Sequence, residues 1–160
     1  EEMSFIDIRR GSDLEFGQSI YEPFGIAQVE PLSYGALCVI SRICGCVGFL
    51  RGIDGLDQRN IVIADYTNVS SEIRSIEAAL AIDQAQRDQM ESTNAKQIAG
   101  EILARLPQES AVAEAILETG FHLSQNMSWE IVARDYLLPS LERAQDDSST
   151  EPMKASRADG

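Results

Sequence analysis

Residues 14–41 read Leu14-Glu-Phe-Gly-Gln-Ser-Ile-Tyr-Glu-Pro-Phe-Gly-Ile-Ala-Gln-Val-Glu-Pro-Leu-Ser-Tyr-Gly-Ala-Leu-Cys-Val-Ile-Ser41, and the fold follows from how this stretch is punctuated. Leu14–Gln18 is a short strand candidate. Gly25 and Ile26 open a helical stretch that should end near Pro31, where the backbone donor is missing. Leu37–Ser41 is a largely apolar run, as expected of a strand covered on both faces. Working outward, Gly45, Gly48, Gly52 and Gly55 mark a long flexible connection, and Asn60–Ala64 is a second buried-strand candidate ended by Asp65. Strand, helix, strand, loop, strand predicts a parallel sheet with crossovers. The fold class expected is therefore α/β: a partial Rossmann-like parallel sheet with flanking helices and a helical C-terminal half. About three strands are visible, against roughly five or six in a complete doubly wound domain. The remaining strands are expected before residue 1, in a longer chain.

In the second half, Ser70 or Ser71 is a candidate N-cap for a helix carrying Ile73, Ile76, Ala79 and Leu80. Asn94 is a candidate cap for a second helix with Ile98, Ile102 and Leu103, stopped near Pro107. Ala111–Leu117 gives a third. Ser128 caps a fourth, with Trp129, Val132, Tyr136, Leu137 and Leu141 on one face. Trp129 and Tyr136 read as packing anchors. Residues 1–144 form the expected domain; 145–160 are polar, with nothing to bury, and read as a disordered tail.

The chain has 160 residues, 44% of them hydrophobic, and needs neither disulfide nor metal to bury a core. Its net charge of -13 repels phosphate backbones and excludes nucleic acid as a natural partner. No apolar run approaches a membrane span. Cys38, Cys44 and Cys46 are odd in number and closely spaced, which fits reduced thiols in a cytoplasmic protein better than a secreted disulfide framework. With His122 the only histidine, a metal site is not expected.

Chemistry is concentrated at Glu22 and Glu30. Pro23 disfavours helical backbone at Glu22, so Glu22 stands in the loop. Gly25 allows close approach to the backbone. The amides of Phe24, Gly25 and Ile26 fall at or near a helix N-terminus, a site suited to phosphate or sugar oxygens.

The pattern Ser19-x-x-Glu22-Pro23-x-Gly25-x-x-x-x-Glu30 resembles the Glu-x7-Glu motif of retaining glycosyltransferases with two facing Rossmann-like domains (the GT-B type), in particular the glycogen and starch synthases. Glu30-Pro-Leu-Ser-Tyr-Gly35 and the strand after it continue the resemblance, as does the Ser128-Trp-Glu-Ile-Val-Ala-Arg-Asp-Tyr-Leu-Leu-Pro segment. The resemblance implies a C-terminal donor-binding domain that takes ADP- or UDP-glucose, or a related hexose donor, and needs no cofactor. It implies that Glu22 contacts the donor sugar near the reacting carbon and that Glu30 binds the ribose hydroxyls. Phe24, Gly25 and Ile26 would offer backbone contacts to the sugar. Cys44-Gly45-Cys46 falls where glycogen synthases often carry Thr-Gly-Gly beside the diphosphate. Arg9 and Arg10 lie too close to the motif to match the family's Arg/Lys pair on the diphosphate. The acceptor, a glucan or another sugar, would be presented by a separate N-terminal domain.

Two other readings come from different classes. One is a module that binds a nucleotide-sugar or a protein without turnover. The other is a dehydrogenase fragment, suggested by Gly45-x-x-Gly48 with Asp65 downstream, although the full Gly-x-Gly-x-x-Gly is absent.

Overall fold

A computed structural model of the protein describes residues 2–17, 19–67 and 73–150. The chain divides into two compact units, Glu1–Ser124 and Gln125–Gly160. The first is a mixed α/β unit. It runs α1 (Phe5–Arg10), β1 (Leu14–Phe16), α2 (Ile26–Val29), a 3-10 turn (Glu30–Tyr34), β2 (Leu37–Ser41), α3 (Gly45–Gly52), β3 (Ile61–Ala64), α4 (Ile76–Leu80), α5 (Gln84–Arg105) and α6 (Ser110–Gln125).

The three strands form one parallel sheet in the order β1-β2-β3. Leu14 registers with Leu37, and Cys38 with Ile61. Every residue of β2 is buried, as its apolar run predicts for a central strand. Side chains alternate across it. Leu37 and Val39 join Val62 and Ala64 of β3 under Ile98 and Ile102 of α5. Those two α5 residues, one turn apart, are its buried positions, and the rest of the helix is largely solvated.

Three expectations are corrected. The glycine-rich stretch after β2 is a helix, α3, because Cys46, Val47 and Leu50 are buried along one side of it and that burial overrides the poor propensity of glycine. Asn94 does not cap a helix; it lies inside α5, which begins ten residues earlier behind an Asp83–Gln86 capping box. Ser75, through its side chain, caps the helix at Ile76; Ser70 and Ser71 lie outside the described residues. Ile76 and Leu80 on that helix are exposed.

The second unit is helical. Ser128 caps α7 (Trp129–Val132), accepting from the Ile131 amide at 3.4 Å as expected. A π-helical stretch, Ala133–Leu137, leads into α8 (Leu138–Thr150). Pro139 has no N–H to return to the preceding turn, and the wider π turns before it accommodate the ring. Trp129 is 83% exposed and Tyr136 is also exposed, so these two are not the packing anchors expected, and Leu141 on the same predicted face is exposed as well. The helix covers residues 145–150 of the expected tail.

Candidate functional site

The segment between β1 and α2 leaves the carboxyl end of β1, and its backbone is bonded to β2 and to Tyr66, just past β3. The Gly17 amide donates to the Val39 carbonyl at 2.7 Å, and the Tyr66 hydroxyl, just past β3, donates to the Gly17 carbonyl at 3.2 Å. The Ser41 hydroxyl donates to the Ile20 carbonyl. Further along, the Gly45 amide donates to the Glu22 carbonyl (3.2 Å) and the Cys46 amide to the Phe24 carbonyl (2.7 Å). The Phe24 ring packs on Phe49 of α3 at 5.7 Å between centroids. A side chain at Gly45 would collide with the Pro23 carbonyl, so glycine is what lets helix and loop meet there.

These bonds bring Glu22, Phe24, Gly25, Gly45 and Cys46 into one cluster. Gly25 is the N-cap of α2 in the left-handed region (φ 86°), and no side chain caps that helix. Ile26 follows, exposed. Among the described residues the half-buried Glu22 carboxylate has neither a hydrogen-bond nor an ion-pair partner. Cys44 and Cys46 are buried, so their side chains do not face solvent, and the Gly45 and Cys46 amides are spent on the loop. Burial, and then the neighbouring Cys44, push the Cys46 thiol up to about 11. Burial also pushes the Cys38 thiol up. Both therefore stay protonated and unreactive near neutral pH.

Glu30 belongs to a different set of contacts. One of its oxygens lies 2.5 Å from Arg9, whose Nε lies 3.1 Å from Glu15. The Arg9 guanidinium stacks on Phe5 at 4.6 Å. Burial pulls its pKa down, but the Glu30 and Glu15 carboxylates outweigh burial and the net shift is upward.

Sequence reasoning missed two residues of this region. Gln28 is buried beneath the loop. Its side-chain oxygen accepts from the Ser41 amide at 3.3 Å, and its nitrogen donates to the Cys44 sulfur at 3.4 Å. A glutamine between Ala27 and Val29 carries no pattern that marks it. Arg9 was legible only as a cation, not as the partner of Glu30.

Two cavities open on the α5 side. An apolar one of about 480 Å³ is lined by Phe16, Ile20, Tyr66, Ile98 and Ile102. A polar one of about 350 Å³ includes Arg42 and Asp65, paired at 3.1 Å across the ends of β2 and β3. Burial alone would raise the Asp65 pKa, but hydrogen bonds from Thr67 and the Arg42 charge lower it. Among the described residues, no three His, Cys, Asp or Glu side chains group so as to hold a metal ion, and no helix is long and apolar enough to cross a membrane.

No protein-family model, curated protein or solved structure matches the chain.

Proposed function

We propose that the chain carries the donor half of a retaining, GT-B-type glycosyltransferase site, binding ADP- or UDP-glucose or a related donor for hexosyl transfer to a glucan. One observation carries this reading: Glu22-Pro-Phe-Gly25 stands at the carboxyl ends of parallel strands, where open α/β sheets take their ligands, with the Glu22 carboxylate unpartnered among the described residues. Breaking the bond from the anomeric carbon to phosphate makes an oxocarbenium-like sugar and a diphosphate. Glu22 orients the sugar and offsets its positive charge. The start of α2, which no side chain caps, offers backbone amides to the oxygens of the donor in this reading. The diphosphate needs little protonation on departure, so no second carboxylate acid is invoked. Glu30 takes the ribose hydroxyls, and the acceptor comes from a second facing domain.

A module that binds without turnover is the second reading. It is favoured by the Gly45 and Cys46 amides, which are bonded to the loop instead of being open to a diphosphate.

Titration of the chain with ADP-glucose and UDP-glucose tests the proposal, with free glucose and inorganic phosphate as controls. One donor is expected to bind with a Kd of about 1 mM, or about -4 kcal/mol, and neither control to bind. The chain by itself is expected to make no glucan. Absence of binding by either donor at about 10 mM would sink the proposal.

A further inference from the structure

We infer that Arg9 is a positioning residue for the ribose-binding carboxylate, an inference that rests on the donor-site reading above. The Arg9 side chain is only 7% exposed, while that of Glu30 is 52% exposed. Arg9 is flanked on three sides: by Glu15 on β1, a charge pair at 3.1 Å in which neither Arg9 Nε nor Glu15 Oε1 makes a hydrogen bond, by Glu30 where α2 becomes the 3-10 turn, and by the Phe5 ring. It grips one oxygen of Glu30 at 2.5 Å, and the half-exposed carboxylate keeps its other oxygen to accept from a diol. An unpaired glutamate at an exposed helix end samples many rotamers and loses that freedom when it binds. A glutamate already clamped by a planar guanidinium does not. Arg9 also offsets the repulsion between Glu15 and Glu30 as they share it. Lysine would supply the charge but not a planar group whose separate nitrogens lie within 3.1 Å of Glu15 and 2.5 Å of Glu30.

If Arg9 merely fastened α1 to the sheet, its loss would weaken all ligands alike. If it positions Glu30, its loss removes discrimination at the ribose. The experiment compares ADP and UDP with their 2′,3′-dideoxy forms, titrated into the wild-type chain, Arg9→Met, Arg9→Lys and Glu30→Gln, with circular dichroism reporting the fold. The wild type is expected to prefer the ribonucleotide by about tenfold, the effect of one good hydrogen bond to a charged group. In both Arg9 variants and in Glu30→Gln that preference falls to about onefold, with the ribonucleotide losing more affinity than the dideoxy form. Should Arg9→Met fail to fold, Arg9→Lys carries the test. Arg9 variants that keep the preference, or lower both affinities equally, overturn the inference. Wild-type binding without a preference overturns it too and leaves the donor-site reading standing. Failure of the wild type to bind any of these nucleotides removes that reading and the inference with it.

Discussion

Gly45 sits where the start of α3 meets the loop that carries Glu22. In most helix first turns, replacing glycine by alanine stabilises by roughly 0.5–1 kcal/mol, because the unfolded chain loses freedom. At Gly45 the new methyl would run into the Pro23 carbonyl, which is backbone and cannot rotate away. Gly45→Ala is therefore expected to destabilise by about 1–3 kcal/mol, read from urea midpoints. It should also loosen the Glu22 loop, since the amide bonds to Glu22 and Phe24 need the same close approach. A neutral or stabilising Gly45→Ala would show that helix and loop do not pack as described.

Among the elements, α5 shows how a helix is held at an end that local sequence does not secure. Its C-terminal carbonyls are met by Arg59, which bonds Arg105 O at 2.6 Å, Leu106 O at 3.2 Å and Ala104 O at 3.4 Å. This is cation capping from 45 residues or more away. Because Arg59 is exposed, Arg59→Ala should cost only about 1 kcal/mol and depend on salt. An unchanged denaturation midpoint would contradict it. The same helix shows what sequence can and cannot disclose. The apolar rhythm of Ile98 and Ile102 identified its packed half, but Gln84–Ser92 has no such rhythm. Only the Asp83-x-x-Gln86 capping box marks the true start. β2 was legible to its ends because burial on both faces leaves an unbroken apolar run. α3 was not, because its glycines signal a loop while its stability comes from tertiary contacts of Cys46, Val47 and Leu50. At the site, the loop and Glu22 could be placed from Pro23 and Gly25. The Arg9–Glu30 clamp could not, since no local pattern encodes a side-chain pair between residues 21 positions apart.

For the molecule as a whole, the first unit supplies a small parallel sheet whose carboxyl edge is closed by one well-bonded loop. At a net charge of -13, a phosphate ligand needs a compact, locally cationic or amide-lined site. Three regions lie near the sheet's carboxyl end: the Glu22–Ile26 cluster, the apolar cavity beside Phe16, Ile98 and Ile102, and the polar cavity that includes Arg42 and Asp65. They separate by residue. The most direct test is amide chemical-shift mapping of the isotopically labelled chain during titration with ADP-glucose and UDP-glucose, repeated with Glu22→Gln. Shifts concentrated at Glu22, Phe24, Gly25, Ile26 and Glu30, and abolished or strongly reduced in Glu22→Gln, are the predicted result. Shifts confined to either cavity, or a map that Glu22→Gln leaves unchanged, would contradict the assignment of this loop as the donor site.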